Sequence, residues 1–309
     1  MPRWVVVHNP GARRGRRVLR AVHRMLSAHS IAVEIRFVSI QDLDACPPNP
    51  ARVIVVGGDG TFNLTASWLH ATNCHAPLAI IPAGTGNNLA TGLDLPRRTS
   101  EALALAFGGT ATRPLDAMVF TSDETQTLMV QSAAFGFPAA VADHYDHWRR
   151  RSVLRSLGKF VGTHVYRYLA LLRLATERRR ARRGEGTISL ICQLDDEELE
   201  VTVLAVFLGN ERTLGGNFVP CPHARVDDGK VDLCLIRHGP RTPYFALFRA
   251  MSTGRHLEHG DHVLYRQTTQ SMELEFDREV PLLVDGDIKT AAKQYRVDIL
   301  PGRFQIFVG

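Results

Sequence analysis

Three short stretches of this chain combine glycine with aspartate, small hydroxyls or amides in a way that suits the handling of phosphate. The first is Gly57-Gly-Asp-Gly-Thr61, which follows the apolar run Val53-Ile-Val-Val56. Glycines let main-chain N–H groups approach a polyanion closely, and a helix starting at Thr61-Phe-Asn-Leu would turn its positive N-terminal end toward it. Asp59 is the discordant member. A carboxylate beside a phosphate cradle repels it unless the carboxylate holds Mg²⁺ or accepts a proton. A tight strand-to-helix turn capped by an aspartate accounts for the same pentapeptide without any chemistry. The second stretch is Pro82-Ala-Gly-Thr-Gly-Asn-Asn-Leu-Ala90, and the third is Asn9-Pro10-Gly11. No G-x-x-x-x-G-K-[ST] occurs, and no G-x-G-x-x-G follows the first apolar run. The phosphates of a bound nucleotide would therefore rest on turn amides and small hydroxyls, chiefly Gly57, Gly58, Gly60, Thr61 and Thr85.

Strand ends must position these groups. Trp4 to His8 reads as a first strand, followed by an arginine-rich helix over 15–28 with Leu19, Val22, Met25 and Leu26 on one face. Strands over 33–38, 52–56 and 78–81 alternate with helical segments. The first 115 or so residues thus predict a doubly wound, Rossmann-like α/β layer, in which ligands bind at the carboxyl ends of the strands. Asn9, Ser39, Gly57 to Thr61 and Gly84 to Asn88 all lie at such ends. Beyond residue 117 the pattern changes. Strands over 118–120 and 127–133 are expected to pair around a turn at 121–125, and a helical stretch runs over 139–180. Strands follow over 187–193, 199–208, 231–237, 263–268, 272–276, 281–284, 294–300 and 303–308, with one helix at 243–251. Short strands without intervening helices predict an antiparallel β-sandwich or barrel-like domain over 118–309, carrying a basic helical insertion near 139–183.

The composition narrows the classes. A chain of 309 residues can bury a large core and is more consistent with two domains than one. Its formal charge of +6 rests almost wholly on arginine, since Lys159, Lys230, Lys289 and Lys293 are the only lysines. Five cysteines without a C-x-x-C pair fit reduced thiols in a cytoplasmic protein, with no zinc site or disulfide framework. The start, Met-Pro-Arg before Trp4-Val-Val-Val7, is too short for a signal peptide's apolar core, and no run reaches the length of a spanning helix. The 139–183 segment interleaves Arg149 to Arg151, Arg155, Lys159, Arg167, Arg173 and Arg178 to Arg180 with Leu169, Leu171, Leu172 and Leu174. Such a helix can lie on anionic lipid at the inner membrane face, although charge runs are more often a solvated face.

Taken in order, these motifs resemble the catalytic-domain signature of the diacylglycerol kinase and sphingosine kinase superfamily. Asn9-Pro-Gly, Gly57-Gly-Asp-Gly-Thr61 and Pro82 to Ala90 follow the first, third and fourth strands as they do in that family. Phe135-Gly-Phe137, Leu208-Gly-Asn210 with Gly215-Gly216, Asp227-Asp-Gly-Lys-Val-Asp232 and Val284-Asp-Gly-Asp287 continue the pattern. The match runs from Asn9 to the terminal strands and is nearest to the small soluble bacterial lipid kinases. Two departures stand out: Asp287 replaces the family's glutamate, and arginines fill the Asn9 loop where small residues are common. Arg13 and Arg14 become candidates for the charge that a lysine clamp would have given.

The resemblance implies a Mg²⁺-dependent transfer of the γ-phosphoryl group of ATP to a lipid hydroxyl, in a phosphofructokinase- and NAD-kinase-like α/β domain joined to the β-rich one. Asn9, Pro10, Gly11, Ser39, Gly57, Gly58, Asp59, Gly60, Thr61, Thr85, Gly86, Asn87 and Asn88 would hold ATP. Asp59 would act with Mg²⁺ and Asp116 would extend that network. Asp285 or Asp287 would accept the hydroxyl proton, with Asp285 favoured, unless Asp285-Gly286 is a plain hairpin turn. A structural Mg²⁺ would take the Asp228 carboxylate and carbonyls of the 225–230 segment, here Arg225 and Lys230. The expected partners are ATP and a lipid at an anionic membrane surface, with a homodimer left open. NAD kinases and phosphofructokinases share a G-G-D-G turn and form the nearest rival reading. A nucleotide-binding regulatory protein without turnover is the second, and nucleic-acid binding by the arginine-rich helix is the weakest.

Overall fold

The computed structural model of the chain describes residues 3–11, 13–28, 33–84, 86–123, 125–150, 158–183, 187–194, 196–214 and 218–309; the side chains of 13, 28, 145–150 and 158–169 lie outside the description. The chain divides into two compact units. The first comprises Met1–Met118, Arg225–Gly229 and Leu300–Gly309, and the second Val119–Ala224 and Lys230–Ile299. Two segments that the sequence reading placed in the second half, 225–229 and 300–309, thus group with the first unit.

In the first unit, β1 (Arg3–His8), β2 (Glu34–Ser39), β3 (Arg52–Gly57) and β4 (Leu78–Pro82) lie parallel in the order β2-β1-β3-β4. β3 is central and wholly buried, which is why Val53 to Val56 are apolar on both faces rather than alternating. Val18 and Val22 of α1 (Arg13–Ala28) and Ala102, Leu103 and Ala106 of α4 (Thr99–Gly108) pack with Ile54, Val56, Ala79 and Ile81 into one cluster. Each such large side chain contributes about 1.5–3 kcal/mol on leaving water. The far edge of β4 is completed by the end of the chain, where Ile306 pairs parallel with Leu78. A buried arginine ties the layer together. The Arg52 guanidinium lies between the rings of Trp4 and Phe307, at 4.5 and 3.7 Å from their centroids, and donates to the carbonyls of Ala106 and Gly109, both at 2.7 Å. It therefore neutralises the C-terminal end of α4.

The second unit is built on antiparallel ladders. β7 (Ser132–Gly136), β8 (Ile188–Leu194), β9 (Glu197–Gly209) and β12 (Met272–Val284) pair in a closed circuit, because β9 and β12 each pair with both β7 and β8. β10 (Val231–Arg237) and β11 (Val263–Thr268) extend from β9, and β13 (Asp287–Phe307) extends from β12. The ends expected for β10 and β11 coincide with those observed. The strands expected separately over 272–276 and 281–284 form one strand, as do those over 294–300 and 303–308. The long helical stretch is divided into α5 (Phe137–Arg150) and α6 (Gly158–Arg182). One difference bears on function. The run 127–133, expected as a single strand, is broken at Val130-Gln131 into β6 (Thr125–Met129) and β7. Among the described residues no helix is long and apolar enough to cross a membrane.

Candidate active site

In the first unit the two glycine turns meet. A Cβ on Gly58 would stand 2.7 Å from the Gly84 Cα, and one on Gly84 would stand 2.5 Å from the Gly58 Cα, so neither position accepts a side chain without separating the turns. Asn87, itself in the left-handed region at φ 54°, closes the second turn: its Oδ1 accepts the Gly84 N–H at 2.9 Å and its Nδ2 donates to the Gly84 carbonyl at 3.2 Å. α2 (Asp59–Ala71) starts at Asp59, two residues before the expected Thr61, with Gly58 at its N-cap. The Asp59 carboxylate therefore occupies the first helical turn. Its Oδ1 accepts the Leu89 N–H at 3.2 Å, while its Oδ2 would be 3.1 Å from a Cβ on Gly86. Glycine at 86 thus keeps clear the space in front of one carboxylate oxygen.

The remaining nucleotide candidates fall around this pair of turns unevenly. Asn9 Oδ1 accepts the Gly11 N–H at 2.9 Å, an Asx turn that fixes the loop after β1. The Ser39 hydroxyl accepts the Gln41 N–H at 3.2 Å and so serves its own turn. Thr61 is buried, and its methyl and hydroxyl lie where a Cβ on Gly57 would be. Thr85 lies outside the described residues. Arg14 is brought to the site: its Nη1 donates to the Gly84 carbonyl at 3.2 Å. A cation therefore stands on the glycine turn that has no lysine.

Asp116 is buried inside β5 (Thr112–Ser122) rather than ahead of a strand. Both of its oxygens are engaged by backbone donors, Gly229 N–H on Oδ2 and Gly302 N–H on Oδ1, each at 2.6 Å. Its own N–H donates to the Val226 carbonyl at 2.7 Å. Burial holds its carboxyl above the usual carboxylate range, and the charges of Asp228 and Asp227 push the same way. Asp116 thus fastens the segments 225–229 and 300–309 to the first unit. Asp227 is paired with Arg113 at 2.7 Å, a contact the sequence reading did not single out. Asp228 and the exposed Arg225 flank it.

In the second unit, Asp285 and Gly286 form a two-residue turn between β12 and β13, with Val284 opposite Asp287. Both turn residues have positive φ, 49° and 93°, the type I′ geometry that Asp-Gly favours. The Asp285-Gly286 hairpin turn that the sequence allows is therefore present. The Asp285 carboxylate accepts three consecutive backbone N–H groups, Val130 on Oδ2 at 2.9 Å and Gln131 and Ser132 on Oδ1 at 2.9 and 3.0 Å. Burial raises its carboxyl, the three amides oppose the rise and Asp287 adds to it, leaving it pushed up to about 6. Such a group is ionised at neutral pH yet basic enough to take a proton. Asp287 is different: its side chain is 76% exposed and 3.7 Å from Lys289. The sequence reading missed the receiving tripeptide because Val130 to Ser132 reads as continuous strand.

Glycine turns closed on one another at the ends of a parallel layer, with a carboxylate at the head of a helix, form a main-chain cradle of the class that can hold an anion without a P-loop. Comparison with known proteins gives the family. Residues 3–119 match the family model described as "Diacylglycerol kinase catalytic domain", and residues 132–308 match the "YegS C-terminal NAD kinase beta sandwich-like domain". The chain belongs to the diacylglycerol kinase superfamily. It is 26% identical over 318 residues to a "Probable lipid kinase YegS-like" of Stenotrophomonas maltophilia (strain K279a), covering 99% of this chain and 96% of the other. It is 28% identical over 241 residues to a "Diacylglycerol kinase" of Mycobacterium tuberculosis, covering 76% and 70%. A crystal structure of a diacylglycerol kinase from Bacillus anthracis str. Sterne has the same fold, with a TM-score of 0.69, 18% identity and coverage of 100% and 97%.

Proposed function

We propose that the chain is an ATP- and Mg²⁺-dependent lipid kinase that phosphorylates a lipid hydroxyl such as that of diacylglycerol. The observation that carries this reading is the Asp285 carboxylate, raised to about 6 and held by three amides in a unit that also contains an apolar pocket. The pocket has a cavity volume of about 60 Å³ and is lined by Phe137, Leu174, Phe207, Phe218, Tyr244 and Phe248 among others. Such an apolar lining suits a hydrocarbon group better than a soluble sugar. α6 exposes Leu171 and Leu172 beside Arg178, Arg179, Arg180 and Arg182, which supports contact with an anionic lipid surface. The basic residues of the same stretch at 149–151, 155, 159 and 167 lie outside the described side chains.

Nucleotide binding is assigned to the first unit. The amides of the Gly57–Gly60 and Gly84–Asn88 turns would hold the phosphates, Arg14 would add positive charge, and Asn9 would shape the adjoining loop. The oxygen donors at Asp59 suit a hard cation, with Gly86 leaving one carboxylate oxygen accessible. Mg²⁺ bound there would neutralise charge on the phosphates. Asp116 has both oxygens on backbone N–H groups, so its part is to anchor the segment that carries Asp228, where a structural Mg²⁺ would also take the carbonyls of Arg225 and Lys230. In the transfer itself the acceptor oxygen attacks the γ-phosphorus, its proton passes to Asp285, and the bond from the γ-phosphorus to the β–γ bridging oxygen breaks to leave ADP.

The test is γ-labelled ATP with the purified chain and a panel of lipids in mixed micelles, alongside NAD and sugar phosphates. Label in a lipid, lost in Asp59→Ala and Asp285→Asn, is the expected result. Label in NAD or a sugar phosphate but in no lipid would overturn the reading, and nucleotide binding without turnover on any acceptor would favour a regulatory role.

A further inference from the structure

The tripeptide Val130-Gln131-Ser132 has every one of its backbone hydrogen-bonding groups committed. Its three N–H groups go to the Asp285 carboxylate. Its three carbonyls are met from elsewhere: Val130 O by Asn210 Nδ2 at 2.7 Å, Gln131 O by the N–H groups of Asn210 at 2.9 Å and Glu211 at 3.0 Å, and Ser132 O by the Asp285 N–H at 2.9 Å. Two peptide planes therefore bridge the bend at 210–211 and the carboxylate. In the plane joining residues 130 and 131, the carbonyl end takes the Asn210 carboxamide and the N–H end donates to Asp285. In the next plane, the carbonyl takes the Asn210 and Glu211 amides and the Ser132 N–H donates to Asp285.

A donor on the carbonyl end of an amide fixes the rotation of its plane and polarises its N–H, strengthening the bond that N–H makes to an anion. Asn210 is fully buried directly after β9, and its side chain donates from Nδ2 to the Val130 carbonyl. We propose that Asn210 is a positioning residue for the general base, acting through the Val130–Ser132 amides to aim the Asp285 carboxylate and to set its basicity. This rests on the reading of Asp285 as base.

Asp287, two residues on, faces Asp285 electrostatically and is itself paired with Lys289. Glu211, whose N–H donates to the Gln131 carbonyl, is buried and accepts from the Thr213 hydroxyl at 2.9 Å. α5, which packs on β7 and β12, carries Asp143 and His144 in exposed positions. Weaker amide donation destabilises the ionised carboxylate, so removing the Asn210 carboxamide should raise the pKa of Asp285.

The experiment uses the full chain with Asn210→Ala, which removes the donor, and Asn210→Ser, which keeps a shorter one. Two readouts are taken: the pH dependence of kcat/KM, and the ¹³C titration of the Asp285 carboxyl, assigned through Asp285→Asn. The expected result is an acid limb moved to higher pH by about 0.5–1 unit in Asn210→Ala and by less in Asn210→Ser, with KM for ATP unchanged. If activity falls while both the limb and the carboxyl titration stay in place, the role is merely structural and the proposal is overturned. Should Asn210→Ala fail to fold, Asn210→Ser decides by the same two readouts. Should Asp285→Asn keep wild-type turnover and its acid limb, the base assignment fails, and the carboxyl titration in the Asn210 variants then tests the amide relay separately.

Discussion

The dipeptide Asp-Gly occurs at both ends of the proposed chemistry, at 59–60 and at 285–286, and the two copies have little else in common. Asp59-Gly60 opens α2, and the Asp59 carboxylate accepts one amide while glycine leaves its other oxygen accessible. Asp285-Gly286 turns a hairpin in the left-handed region, and its carboxylate accepts three amides from another segment. The same two residue types thus yield a carboxylate free to meet a cation and one adjusted to hold a proton. The difference is made by the donors each carboxylate meets and not by the dipeptide.

Substitutions separate the two roles. Asp59→Ala should lower kcat by roughly 10³-fold or more, because charge neutralisation at the phosphates is lost, and raising Mg²⁺ should not restore it. Initial rates across a Mg²⁺ series check this. Asp285→Asn should cost about 10²–10⁴-fold in kcat with nucleotide affinity retained, and should abolish the acid limb near pH 6; Asp287→Asn should change kcat by less than about 3-fold. Equal losses in the two variants would break the comparison at its second half. Gly84→Ala, which drives a methyl against Gly58, should raise the Kd for ATP by about tenfold or more in calorimetry, with a smaller loss of melting temperature. Arg14→Ala should raise KM for ATP only a few-fold, since an exposed arginine loses much of its pull to solvent.

The smallest effect is on stability. The folded Asp285 carboxyl keeps its proton to about pH 6, whereas an ordinary one releases it near 3.8. Between these values the folded state binds more protons than the unfolded, so stability falls as pH rises across that window. The fall should be about 1–3 kcal/mol and should be absent in Asp285→Asn, as read by denaturant titrations at pH 4 and pH 6.5.

Much of the nucleotide side was legible because it depends on local rules. An all-apolar run marks a central parallel strand, and glycines after it mark backbone that must approach something closely; β3 and the Gly57–Gly60 turn follow from these alone. What escaped depends on meetings between distant segments. Nothing in Val130-Gln131-Ser132 announces a break, since its residues suit a strand and the break is imposed by Asp285 and Asn210 some 80 to 155 positions away. Asp116 reads as a candidate ligand because it is a lone carboxylate near a domain boundary. Its two amide partners, at 229 and 302, belong to segments that the strand pattern assigned to the other half. The hairpin at Asp285-Gly286 was legible as a turn, but the environment that raises its carboxyl was not.

Those returning segments have a consequence for the order in which the molecule is made. β4 receives its outer neighbour, Ile306, and Asp116 receives the Gly302 N–H only when the last ten residues have been synthesised. Arg52 likewise waits for Phe307 to close over it. A chain emerging from the ribosome can assemble β1 to β4 early, yet the first unit remains unfinished until residues 300–309 have emerged. A truncation after Met118, or a stop codon before residue 300, would leave that first unit with an open strand edge and a buried carboxylate missing a donor.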